Sequence, residues 1–178
     1  MTDAETLRAR AREMRAFLEE RWQEWKAERP AMVNGEVATM LDDGKPLSHG
    51  MCRLTVRFLD ETLPEAFPYL EWRATQGFAQ ALPGDPLIEG APVPGGVRGA
   101  DGEWRDHLWM ETRIDGATWV VDLAADQFGH ESVVVAPKDD RHRKNVLDEA
   151  TDEHVWDATD SAERWAEMWT DAKAAPSP

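Results

Sequence analysis

The chain contains a single cysteine, Cys52, among 178 residues. No intrachain disulfide can form, and a multi-cysteine zinc site is excluded. Long apolar runs are missing too. No stretch approaches the length of a membrane span, and the opening MTDAETLRARAREM has no hydrophobic segment of the signal-peptide kind. Basic residues are scarce: 20 Lys and Arg stand against 35 Asp and Glu, a formal charge of −15. Such a surface repels phosphate backbones and anionic lipid, which argues against generic nucleic-acid or membrane-surface binding. These absences predict a soluble protein of a reducing compartment, with the cytoplasm as its expected location.

What is present is enough apolar material, 42% of the chain, for one sizeable core. Nine tryptophans are a high count, and most are expected in that core, where each buries a large area while its N–H seeks a partner. Thr2 with Glu5 fits a capping box, and Leu7, Ala11, Met14, Leu18, Trp22 and Trp25 form one helical stripe before Pro30. This N-terminal helix, within 1–30, reads as packing with a solvated Arg/Glu face. Turn signals at Asn34-Gly35 and Asp43-Gly44 flank a possible short helix. A helix is predicted over 51–61, with Ser48 as its cap and Pro64 just beyond its end, then a strand over 69–81. Residues 83–102 hold four prolines and six glycines, the composition of a long loop.

The clearest β signal follows. HLWMETRI and ATWVVDLA flank Asp115-Gly116, a dipeptide favoured in two-residue hairpin turns, and SVVVAP over 132–137 suggests a third strand. Asp160 with Glu163 is a candidate cap for a C-terminal helix carrying Trp165, Met168, Trp169 and Ala172. The expected fold is α+β, one domain over 1–178. An antiparallel sheet of at least three strands packs on the Cys52 helix, with a core over 46–137 and a helical segment over 147–174.

A thiol is a useful nucleophile only when ionised, and a helix N-terminus and a nearby imidazole are the two common devices that ionise it. Cys52 falls in the first turn of its predicted helix, after Gly50. If Asp115-Gly116 is the turn, Ile114 faces Ala117, His107 faces Ala124 and Trp109 faces Asp122. His107 and Asp122 are then diagonal neighbours on one face, roughly 7–8 Å apart at the backbone and within side-chain reach. The alternation separates a greasy face (Leu108, Met110, Ile114, Trp119, Val121, Leu123) from one carrying His107, Trp109, Glu111, Arg113 and Asp122. An aspartate that accepts from one imidazole nitrogen leaves the other free for a thiol.

The order G-M-C-R at a helix start, then H-L-W-M-E, a hairpin and W-V-V-D-L-A resembles the transglutaminase-like branch of the papain-like cysteine superfamily. Arylamine N-acetyltransferases are similar in order and spacing. The resemblance spans about residues 46–128. It implies Cys52 as nucleophile, His107 as base and Asp122 as orienting acid, with no cofactor and no metal. Leu108 stands where the family has a small residue, and Ala124 where it has Thr. The implied chemistry is acyl transfer through a thioester on a peptide, protein or small amide, to water or to an amine. The oxyanion would be held by the Cys52 amide and one further donor, with Asn34, Ser48, Gln76 and Trp109 as candidates. Trp109 and Gln127 are candidate substrate contacts.

Two other readings compete. In one, the domain is an inactive binding module presenting tryptophans and the Pro/Gly loop. In the other, His49 and Cys52, three apart, bind a metal with His107, His130 or Glu111.

Overall fold

The computed structural model describes residues 2–41, 43–80, 93–145 and 159–174. Helix α1 (Asp3–Ala27) opens on the expected capping box, in which Thr2 and Glu5 satisfy each other's backbone N–H groups. Its predicted stripe is buried from Leu7 to Trp22 and partly so at Trp25, but two charged residues are buried with it, Arg15 and Lys26. The supposedly solvated face is therefore narrower than its composition suggests. Arg15 lies over the Trp22 ring and forms a two-pronged ion pair with Asp126, both contacts at 2.9 Å.

Residues 30–39 form a hairpin rather than a helix. Strands β1 (Pro30–Val33) and β2 (Glu36–Thr39) pair antiparallel through Asn34-Gly35, both in left-handed conformation. The local turn chemistry thus decides the segment.

Helix α2 (Cys52–Ala66) begins at the cysteine. It runs past its predicted end, with Pro64 inside the helix two residues before Ala66, where it has no N–H to donate. Ser48 is not the cap: the helix start has no side-chain cap, and the buried Ser48 hydroxyl has no partner. Leu54, Phe58, Leu59 and Leu63 face the core, each stabilising the fold by roughly 2 kcal/mol.

The main sheet has the order β3-β6-β7-β8, all antiparallel. Of the strand expected over 69–81, only β3 (Arg73–Gly77) forms. Strands β6 (His107–Ile114) and β7 (Ala117–Asp122) have the register read from the sequence, with Ile114 opposite Ala117 and Met110 opposite Val121. The third predicted strand is β8 (Val134–Pro137). Helix α2 packs on the face carrying Leu108, Met110, Ile114 and Val121. Helix α1 and helix α3 (Thr159–Ala174) complete the same core, α3 through Ala162, Trp165, Ala166 and Trp169. Asp160 is already inside α3 rather than capping it. The opposite sheet face carries a second, smaller cluster of Trp109, Val120, Ala125 and Val134.

The Pro/Gly-rich segment is not all loop. A strand β4 (Gly96–Arg98) emerges from it and pairs with β5 (Trp104–Arg105) and β9 (His142–Arg143), in the order β5-β4-β9. Residues 81–92 lie outside the described residues. Glycine makes the junction possible. A Cβ on Gly77 would run into Gly96 and the Arg143 carbonyl, and one on Gly96 into the Arg105 carbonyl. The small sheet therefore abuts the end of β3, next to the start of β6. Among the described residues no helix is long and apolar enough to cross a membrane.

Candidate active site

Cys52 is the first residue of α2 and is partly exposed. With no side chain capping that end, the first-turn amides and the positive end of the helix dipole are left to whatever sits before them. Gly50, at φ 75°, makes the left-handed turn into the helix. Its N–H donates to Gln127 Oε1 (3.2 Å), while Gln127 Nε2 donates to the Ala124 carbonyl (2.8 Å). Gln127 thus ties the turn before Cys52 to the segment that follows Asp122.

His107 opens β6 and Asp122 closes β7, and the diagonal predicted from the register is a contact. His107 Nε2 donates to Asp122 Oδ2 at 2.8 Å, with both side chains buried. Nδ1, the ring's other nitrogen, is buried with no nitrogen or oxygen partner among the described residues, and the Cys52 thiol interacts with the ring. The ring is held between Trp109, stacked at 6.3 Å between centroids, and Phe128, edge-on at 4.9 Å. Burial alone would lower the imidazole's proton affinity. The Asp122 charge and hydrogen bond outweigh it, and interaction with the Cys52 thiol acts in the same sense, so the pKa is raised to about 10. Burial likewise pushes the Asp122 carboxyl up, but the two imidazoles that bond it hold it far below the usual carboxylate range.

The second of those imidazoles belongs to His142 on β9, whose Nε2 donates to the same Asp122 Oδ2 at 3.0 Å. The Ala124 amide donates to Oδ1 at 2.9 Å. His142 had no motif to mark it. It comes from a different sheet, twenty residues beyond Asp122, inside the basic run RHRKN. An R-H-R alternation is the one local hint, and it says nothing of a partner.

Trp109 is fully buried, and its indole N–H is engaged by Glu111 Oε1 (2.8 Å), which also accepts from Lys138 (2.6 Å). It therefore walls the imidazole from inside the fold, and its N–H is not free for an oxyanion. Asn34 is at a hairpin tip. Gln76 pairs with Leu108 at the end of the sheet, where the next pair is Gly77 with His107. Leu108 belongs to the core on which α2 packs.

The metal set expected around His49 is not assembled. His49 contacts Lys45 Nζ (3.1 Å), and burial and the nearby Lys45 and Lys26 lower its proton affinity. His130 bonds the Arg98 carbonyl (2.7 Å). Among the described residues the group that clusters is His107, Asp122 and His142. Both imidazoles spend their Nε2 protons on the carboxylate, which makes this a hydrogen-bonded set. No family model, curated protein or solved structure matches the chain.

Proposed function

We propose that this chain is a cysteine-dependent acyl-transfer enzyme of the transglutaminase-like kind. It acts on a peptide, protein or small amide or ester through a Cys52 thioester, in the cytoplasm and without a cofactor. One observation carries the reading. His107 is held through Nε2 by an ionised Asp122, with no nitrogen or oxygen partner for Nδ1 among the described residues, beside a cysteine that begins a helix. The Cys52 thiolate attacks the carbonyl carbon as the imidazolium stands ready with a proton. The tetrahedral oxyanion is stabilised by the Cys52 amide at the helix start and one further donor. His107 then gives its proton to the leaving amine or alkoxide as the bond to it breaks, leaving the acyl group on sulfur. Water or an amine attacks the thioester while His107 removes its proton, and Cys52 leaves as thiolate.

Among the described residues, most tryptophans do not serve the inactive-module reading. Trp22 and Trp109 are fully buried and Trp165 and Trp169 nearly so, while Arg29 lies over the partly buried Trp25 and Arg143 over the partly buried Trp104.

The test is acyl-enzyme trapping with p-nitrophenyl acetate, read by intact mass. The expected result is a burst of nitrophenol equal to the enzyme, with an acetyl adduct on Cys52 that added amine removes. Cys52→Ala and His107→Ala should both abolish it. Absence of the burst and adduct in the wild type, with this ester and with a panel of acylated peptides, contradicts the proposal.

A further inference from the structure

Asp122 serves two imidazoles, and a simple Cys-His-Asp arrangement accounts for only one. The carboxylate is 2% exposed, so no bulk water solvates it and protein donors must do so. The Ala124 amide takes Oδ1, and Oδ2 is shared between His107 and His142 at 2.8 and 3.0 Å. The fold invests a separate element in the second of these contacts. His142 is carried on β9, at the edge of the small sheet. That sheet can approach β3 only because residues 77, 95 and 96 are glycines. Asn145, two residues past β9, then clamps the junction. It accepts from the Phe78 amide (2.9 Å) and donates to the carbonyls of Phe78 (2.8 Å) and Val93 (2.9 Å). The Trp109 ring is edge-on to His142 at 5.3 Å and fixes its plane.

We infer that His142 is a positioning residue of the proposed active site, acting through Asp122 to set how tightly His107 holds its proton. The inference rests on the triad reading. An added donor on a carboxylate spreads its charge and weakens its hold on every other proton it shares. His142 therefore competes with His107 for Oδ2. It keeps the imidazolium from becoming too weak an acid to release its proton to a leaving group. The titratable groups facing this pair are Cys52 from α2 and Asp122 from β7. Asp139, in the loop before β9, couples to His142.

The experiment is the titration of His107 by imidazole NMR in the full chain, in the wild type, His142→Phe and His142→Gln. Phe keeps the bulk and removes the donor, whereas Gln places an N–H near the position of Nε2. The His107 midpoint should rise in His142→Phe by about one pH unit, a tenfold gain in proton affinity, and return towards the wild-type value in His142→Gln. A midpoint that stays or falls in His142→Phe overturns the inference, as does a Gln variant that behaves like Phe. Should the Phe variant not fold, His142→Leu takes its place with the same expected direction. The two readings fail separately. If His107→Ala leaves Cys52 alkylation at pH 6 unchanged, the triad itself is wrong. If that change abolishes alkylation and the His107 midpoint ignores His142, only this inference falls.

Discussion

Replacing Asp122 by Asn removes the charge that holds His107 protonated in a dry site, and the consequence is a change in how stability depends on pH. In the folded protein the imidazole titrates at about 10, against an ordinary 6.5 in the unfolded chain. Because the folded value is the higher one, the interaction stabilises fully below pH 6.5 and is lost as pH climbs to 10. At 1.36 kcal/mol per pH unit, the full amount is about 5 kcal/mol. It belongs to the coupled site as a whole, Asp122 foremost and the Cys52 thiol with it, and is counted once. Urea denaturation at half-unit steps from pH 6 to pH 10, at fixed ionic strength, reads it directly. Across this window the wild type should lose stability relative to Asp122→Asn. Other groups, Lys26 among them, titrate in both proteins and drop out of the difference. A wild-type-minus-variant difference in stability that does not shrink between pH 6 and pH 10 refutes the assignment of an ion pair at this site.

Two further outcomes follow from the packing. Lys26 is fully buried, and among the described residues its Nζ has no partner. Burial lowers its proton affinity, partly countered by Asp43 and reinforced by Lys45. Lys26→Met keeps the stem and removes the unpaired ammonium, and it should stabilise the protein at pH 7 by about 1 to 2 kcal/mol in chemical denaturation. The gain should shrink as pH approaches 10.5, where the lysine discharges unaided. Gly96→Ala places a Cβ against the Arg105 carbonyl at a positive φ. It should cost more than about 2 kcal/mol and raise amide exchange along β4 and β9 before the main sheet is affected.

The parts of the site that were legible in the sequence are the local ones. Strict alternation on either side of Asp115-Gly116 sets the register, and the register alone puts His107 and Asp122 on one face. Cys52 at a helix start follows from the apolar pattern of 54–59. His142 was hidden because its contact depends on a second sheet docked through glycine, and no period in the chain reports a backbone approaching another backbone. The Arg/Glu-rich face of α1 reads as solvated because its residues are charged, yet Arg15 and Lys26 are buried. Arg15 is buried because Asp126 and the Leu123 and Ser132 carbonyls receive its guanidinium. The Asn34-Gly35 turn is legible, but the stretch after it reads as a short helix and forms β2, because four residues a side give too little alternation to outvote helix-tolerant residues. Helix α2 runs past Pro64, a residue that reads as a stop because it cannot donate to the helical ladder.

The most direct measurement is the pH dependence of Cys52 alkylation by iodoacetamide, followed by intact mass, in the wild type and in His107→Ala. A Cys52 thiolate sustained by the His107 imidazolium predicts rapid alkylation of the wild type at pH 6 and a loss of at least about tenfold in the variant. If both proteins react only as pH approaches that of an ordinary thiol, about 8.5, or if the two rates coincide at pH 6, the account of this site is contradicted.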